Sequence, residues 1–266
     1  MKLYLVRHGQ STGNVGGTLM GQSDHPLTAL GEAQARAAAV RLAPFGPMPV
    51  YHSDLPRAAA TAAYIVAAWG AGEPGGAGPA ATPLLFPDPR LREISLGYYE
   101  GRSWEEFEAD EALTAAFADD PYGTTVPGGE SLEHLEHRVT AAVRDILAAH
   151  GLSDHSELST EAVATADASA LATGFRRAEP GENACIVAHD GPIRAILNHY
   201  LGVPPEKWWT LSTTHGAVSL LEFSGGWVNV RYFNAAGHLA GLEPDVYVPS
   251  VEEPAPAPEK PGAGAG

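Results

Sequence analysis

Two short stretches, Arg7-His8-Gly9 near the start of the chain and His189-Asp190-Gly191 far along it, carry side chains suited to handling a phosphoryl group. Phosphoryl transfer needs a positioned nucleophile, positive groups around the equatorial oxygens and a proton for the leaving oxygen. A neutral imidazole at His8, held in one tautomer by a hydrogen bond from its other nitrogen, can attack phosphorus in line. Arg7 beside it offers a planar fork of donors, and Arg57 can offer another. Gly9, Gly13, Gly16 and Gly17 let the loop backbone approach a ligand closely, with Ser11 and Asn14 as side-chain donors. His189 would complete the cage. Glu93, kept protonated by an enclosed, anion-rich site, can give its proton to the leaving group and then take one from water.

Each of these residues also has a plainer reading. An isolated Arg-His pair can simply end a strand with a surface ion pair, and Arg57 alone would more often be a solvated helix residue. Glu93 stands beside Arg90 and Arg92, where ion pairing is the common role of a carboxylate. His134 and His137, with Glu133 and Glu136, have helical spacing that could suit a metal. They fall off the apolar stripe, however, and read as a solvated helix face, so no metal site is assigned. Trp208 and Trp209 could floor a pocket, although Trp more often fills a core.

The elements that must position these residues follow from local pattern. Lys2 to Val6 is a short apolar run that suits a buried central strand ending at Arg7. Thr28 can cap a helix with Glu32 in its first turn and Leu30, Ala33, Ala37, Val40 and Ala43 at helical spacing, ending before Pro44. Pro49 to His52 reads as a short strand and Asp54 to Trp69 as an Ala-rich helix. Gly70 to Pro83 follows as a Gly/Pro/Ala loop, expected to be flexible. A strand near Leu84 to Phe86 leads to Arg90-Leu91-Arg92-Glu93. Ser103 then caps an acidic helix running to about Asp119, and Ser131 starts another with an apolar stripe through Leu132, Leu135, Val139 and Ile146. Residues 151–183 form an insertion without a firm assignment. Cys185 to Ala188 is a buried strand ending at His189, with a helix over Pro192 to Leu201. Ser219 to Phe223 and Trp227 to Tyr232 form a hairpin around Ser-Gly-Gly. Residues 249–266, rich in Pro, Ala and Gly, read as a disordered tail.

Alternating strands and helices predict an α/β fold: a three-layer sandwich with a mostly parallel central sheet, helices on both faces, and a small helical cap over the site. Ligands of such sheets bind beyond the carboxyl ends of the strands, where Arg7-His8 and His189 both fall.

Composition narrows the partners. With 16 Lys and Arg against 32 Asp and Glu, the formal charge of -16 makes a polyanion that nucleic acid or an anionic membrane would repel. A few Arg residues gathered in one cleft can still hold a small anionic phosphomonoester. The single cysteine, Cys185, allows neither a disulfide framework nor a thiolate metal site, which is compatible with a reducing cytoplasm. No run approaches the roughly 18 apolar residues of a membrane span, and the first residues do not read as a signal peptide. A cytoplasmic protein, with a homodimer as one assembly open to it, is the expectation.

The segment Leu5-Val6-Arg7-His8-Gly9-Gln10-Ser11-Thr12-Gly13-Asn14 resembles the Arg-His-Gly signature of the histidine phosphatase superfamily, the phosphoglycerate mutase-like family. Leu27-Thr28-Ala29-Leu30-Gly31, Ser53-Asp54-Leu55-Pro56-Arg57-Ala58, Leu91-Arg92-Glu93, Pro127-Gly128-Gly129-Glu130-Ser131 and Val187-Ala188-His189-Asp190-Gly191 are similar to its later motifs in order and approximate spacing. The resemblance implies one domain over 1–248, with His8 as the phosphorylated nucleophile and Glu93 as the proton donor. It further implies that Arg7, Asn14, Arg57 and His189 bind phosphate, and that Gly9, Gln10, Ser11, Met20 and Gly21 lie against substrate. No metal or other cofactor is implied. Mutases of the family carry a basic clamp after the acidic residue, whereas Ser103 to His137 contains no Lys or Arg. This difference, with the Pro-Gly-Gly-Glu-Ser segment, points to the phosphatase branches. Met20 stands where mutases usually have a small hydroxyl residue, and His215 where many members have Asn. Sugar phosphates, phosphoglycerate derivatives and α-ribazole phosphate are the substrates such a resemblance suggests.

Overall fold

A computed structural model describes residues 1–70, 84–152, 183–224 and 227–242. The expected flexible loop, the body of the 151–183 insertion, the glycines of the hairpin turn and the tail lie outside the described residues. Among the described residues six strands form one sheet: β1 (Lys2–Arg7), β2 (Val50–His52), β3 (Leu85–Pro87), β4 (Asn183–Ala188), β5 (Val218–Ser224) and β6 (Trp227–Ala235). Their spatial order is β3-β2-β4-β1-β5-β6. The first four run parallel, and β5 and β6 complete the sheet antiparallel, as the hairpin reading expected.

The parallel strands are apolar on both faces because helices cover both. Leu3 and Leu5 of β1, with Ala184, Ile186 and Ala188 of β4, pack into one core. The alternate residues Tyr4, Val6, Cys185 and Val187 pack into the other. Helices α2 (Ala29–Leu42) and α3 (Pro56–Gly70) cover the second face, after the short α1 (Thr12–Val15) that follows β1. Thr28 caps α2 by accepting from Gly31 N at 3.0 Å, and Pro56 opens α3, where its missing N–H costs no helix bond.

The cap departs from expectation in one respect. Instead of one acidic helix from Ser103 to Asp119 there are two, α4 (Trp104–Glu108) and α5 (Glu111–Asp119). The break follows from Asp110, whose carboxylate accepts from Leu113 N at 3.0 Å and starts a new helix, a capping role that competes with continuing the first. Leu19, Tyr99, Leu113 and Val126 form the small core of this cap. On the first face lie α6 (Leu132–Ala149), capped by Ser131, and α7 (Asp190–Leu201), which starts two residues earlier than its proline suggested.

Candidate active site

Strand register brings the two histidine stretches together. Arg7 pairs with Ala188 across the parallel β1–β4 ladder, so the next residue of each strand, His8 and His189, leaves the sheet at the same edge. Their rings lie 4.8 Å apart, edge to face. The β2–β4 ladder adds a third residue by the same geometry. His52 pairs with Val187, Ser53 N donates to Val187 O, and the Ser53 hydroxyl reaches His189 Nε2 at 2.8 Å. At the start of α3, Arg57 donates from Nε to His189 Nδ1 at 3.2 Å.

These contacts fix tautomers. His8 Nδ1 donates to the Gly9 carbonyl at 2.7 Å, which leaves the Nε2 lone pair free for attack. His189 accepts at Nδ1 from Arg57, so its proton resides on Nε2. Burial, reinforced by His189, His215, Arg57 and Arg7, holds the His8 pKa well below 6.5. Burial and the nearby arginines do the same for His189. Both imidazoles are therefore neutral near pH 7.

Arg57 is fully buried, with Nη1 on Ser23 O (2.8 Å) and Nη2 on Gly21 O (2.9 Å). Those carbonyls and His189 occupy three of its five donors, leaving one hydrogen on each terminal nitrogen for an anion. Arg7 donates to Thr213 O and lies 3.9 Å from Asp190, whose carboxylate is oriented by Thr213 N, the Thr213 hydroxyl and Arg194. Burial pushes Asp190 up, but Arg7 and Arg194 outweigh it and hold its carboxyl below the usual range.

Glu93 reaches this group from the loop after β3. Its carboxylate accepts from its neighbour Ile94 N at 2.9 Å and from Gly191 N, at the start of α7, at 3.3 Å. Desolvation raises its pKa above 4.5, assisted by the charge of Asp190 and opposed by the two N–H groups and Arg57. Glu93 is not the partner of its neighbouring arginines. Arg92 pairs with Asp54 at 2.6 Å, and Arg90 with Asp88 and Asp145.

The expected substrate-facing loop turns much of its polarity inward. Gly9 orients His8 and donates to Thr61 Oγ1 at 3.1 Å, and Gln10 is held by Thr28 and Gln34. Ser11 donates its hydroxyl and its N–H to Asn14 Oδ1, both at 2.8 Å, which leaves the amide nitrogen of Asn14 as the end suited to an anion. Met20 lays its sulfur against this turn, 3.5 Å from Ser11 Oγ. Gly21 contributes its carbonyl to Arg57.

Two further residues belong to the group. His215 is buried with its ring 5.2 Å from that of His8, and Ser53 holds His189. Ser53 stands in the stretch that carries Arg57, and His215 stands where many family members have Asn; neither carries a local signal for contact with a histidine. Trp208 is buried core, while Trp209 is exposed and packs against the Arg194 guanidinium. His134 lies at the capped start of α6, and Glu136 lies 3.4 Å from His199. No described helix is long and apolar enough to cross a membrane.

Known proteins share this architecture. The α-ribazole phosphatase of Shigella flexneri superposes with a TM-score of 0.66 at 22% identity, over 88% of this chain and 96% of that one. A mycobacterial glucosyl-3-phosphoglycerate phosphatase, solved with VO3, gives 0.65 at 26% identity, over 88% and 99%. A protein of Proteus mirabilis named "Probable phosphoglycerate mutase GpmB" is 35% identical over 252 residues, 92% of this chain and 98% of its own length. Residues 3–166 and 153–236 match the histidine phosphatase superfamily (branch 1), and the chain belongs to that superfamily of phosphoryl-transfer enzymes.

Proposed function

We propose that the protein is a phosphatase that hydrolyses a small phosphomonoester through a phosphohistidine on His8. The observation that carries this reading is a neutral, buried imidazole with its Nε2 lone pair open, ringed by His189 and Arg57 and approached by a carboxyl whose pKa is raised. In the first step the His8 Nε2–phosphorus bond forms as the ester P–O bond breaks, and Glu93 passes its proton to the leaving oxygen. In the second, water attacks phosphorus, the N–P bond breaks, and a proton from the water returns to Glu93. The products are the free alcohol and inorganic phosphate. Arg7, Arg57, the amide of Asn14 and the Nε2–H of His189 neutralise charge on the equatorial oxygens in both steps. His189 reaches the phosphoryl oxygen with the same N–H that otherwise rests on Ser53.

Hydrolysis, not transfer to a second substrate hydroxyl, is supported by the lack of basic residues in the segment that follows the acidic residue. Residues 103–137 hold no Lys or Arg, and the next cation, Arg138, is bonded to Glu130 and to main-chain carbonyls. A second negatively charged substituent on a retained intermediate would find no cation in that segment. The rival reading, a phosphoglycerate mutase, has the Proteus mirabilis relative in its favour. Phosphatase relatives acting on α-ribazole phosphate and glucosyl-3-phosphoglycerate suggest phosphorylated sugars or glycerates as substrates.

The test is a panel of phosphomonoesters assayed for released phosphate with chelator present, and with and without bisphosphoglycerate. The reading expects release that needs neither metal nor bisphosphoglycerate, an acid-labile phosphate on His8 during turnover, and no activity in His8→Ala. Turnover only with bisphosphoglycerate would favour the mutase, and full activity of His8→Ala would refute both.

A further inference from the structure

The Pro-Gly-Gly-Glu stretch and Arg138 touch none of the groups assigned to the phosphate, yet they meet the one segment that carries Glu93. We infer that Arg138, braced by Glu130, is a positioning residue that holds the main chain of residues 90–95 so that the Glu93 carboxyl stands over the leaving-group oxygen. The inference rests on the reading of Glu93 as the proton donor.

Arg138 uses every donor it has. Nη1 donates to Arg90 O at 2.7 Å and to Arg92 O at 2.8 Å; Nη2 donates to Glu93 O at 2.8 Å and to Glu130 Oε2 at 2.9 Å; Nε donates to Glu130 Oε1 at 2.7 Å. A guanidinium has five N–H groups, so none is left for substrate. Its side chain is 18% exposed. Glu130 completes the brace, because its carboxylate also accepts from Ser95 N at 2.9 Å while its own N–H donates to Ser95 O at 2.9 Å. Gly129 permits the close approach: a Cβ there would stand 2.4 Å from Ser95 O. Gln22 adds one more donor to Glu93 O, at 3.1 Å.

The anchor is rigid and the anchored segment is not intrinsically so. Leu135, Val139, Ala142 and Val143 of α6 are fully buried and pack with α7 in the same core. Residues 92–96 belong to no helix or strand, and the carbonyls of Arg92 and Glu93 take their hydrogen bonds from the side chains of Arg138 and Gln22. Charge-assisted bonds to the carbonyls of Arg90, Arg92 and Glu93 set their direction more firmly than neutral ones would. A lysine, with one compact ammonium in place of a planar fork, cannot span the same set. The acidic member of the pair fits this role: burial would raise Glu130, but Arg138 and the Ser95 N–H hold its carboxyl below the usual range.

The experiment compares two aryl esters of similar shape, phenyl phosphate, whose leaving group needs a proton, and 2,4-dinitrophenyl phosphate, whose leaving group does not. Arg138→Met, Arg138→Lys, Glu130→Gln, Glu93→Gln and the double variant Glu93→Gln/Arg138→Met are assayed for kcat/KM on both, alongside Tm and inhibition by inorganic phosphate. The expected result for Arg138→Met is a loss of about 10- to 100-fold on phenyl phosphate, about the size of a displaced general acid. Turnover of the dinitrophenyl ester and inhibition by phosphate should change little. The loss should vanish in the Glu93→Gln background, and Arg138→Lys should recover only part of it. If Arg138→Met does not fold, Glu130→Gln, which leaves the arginine in place, is read by the same criteria. Equal losses on both esters, a loss that adds fully to that of Glu93→Gln, or no loss at all would overturn the inference. Failure of the acid role itself shows separately, as an equal loss on both esters from Glu93→Gln alone, and removes the ground for the brace with it.

Discussion

Replacing Gly191 by Ala separates catalysis from stability at a single atom. Gly191 is the second residue of α7, and its N–H donates to the Glu93 carboxylate at 3.3 Å. A Cβ at this position would stand 2.2 Å from Glu93 Oε1 and 3.2 Å from Leu135 Cδ2. To regain ordinary contact the carboxyl must retreat by about 1.2 Å. It can do so, because it lies at the end of a flexible side chain, so the fold need not break. Ala also suits a helix better than Gly by roughly 0.5–1 kcal/mol, which offsets the loss of one long hydrogen bond. Catalysis has no such relief. Misplacement of a reacting group by an ångström costs of order 10²-fold, and the cost falls on the step that needs the proton. We therefore expect Gly191→Ala to keep or raise Tm while kcat/KM on phenyl phosphate falls about 100-fold and that on 2,4-dinitrophenyl phosphate falls far less. Turnover of phenyl phosphate within about 3-fold of wild type, well short of that general-acid loss, would mean that the carboxyl does not act from the place the structure gives it.

Further expectations concern pH and packing. His8 and His189 are both held well below 6.5 in the folded protein, so as pH falls the unfolded chain takes up protons first. Stability from these groups is intact above about pH 6.5 and declines below it; Tm measured from pH 7.5 to 5.5 should fall, and less steeply in His8→Gln. A wild-type Tm that rises over that interval would contradict the assignment. Gly31→Ala should destabilise the protein by about 1–3 kcal/mol in urea unfolding and depress kcat. Its Cβ would stand 1.9 Å from the Gln10 carbonyl, a backbone atom of the loop that carries His8. Asp110→Ala should weaken the cap, since it removes both the acceptor for Leu113 N and the 2.5 Å partner of the Tyr99 hydroxyl. Amide exchange over 103–119 reads the change, and equal protection in the variant would argue that the cap is held otherwise.

Much of the architecture can be read from short stretches. Thr28, Ser103 and Ser131 each start a helix where a hydroxyl before the first turn predicts one, because a cap acts within three residues. The runs before Arg7 and His189 are strands because apolar residues on both faces suit a covered parallel sheet. Asp110 shows the limit even at this range. It is an acidic residue among many acidic residues, and only its bond to Leu113 N distinguishes a new helix start from a continuing one.

By itself, then, the order of residues determined the alternation of strands and helices, the placing of His8 and His189 at strand ends, and the family likeness carried by ordered motifs. Tertiary structure alone decided that Arg7 pairs with Ala188, which puts two imidazoles 4.8 Å apart, and that His215 stands beside them. It likewise decided that Arg92 turns to Asp54 while Arg138 takes the carbonyls around Glu93. The reason is range: capping and periodicity act over a few residues, whereas the partner of a guanidinium or an imidazole is whichever group the packed sheet and helices bring within about 3 Å of it.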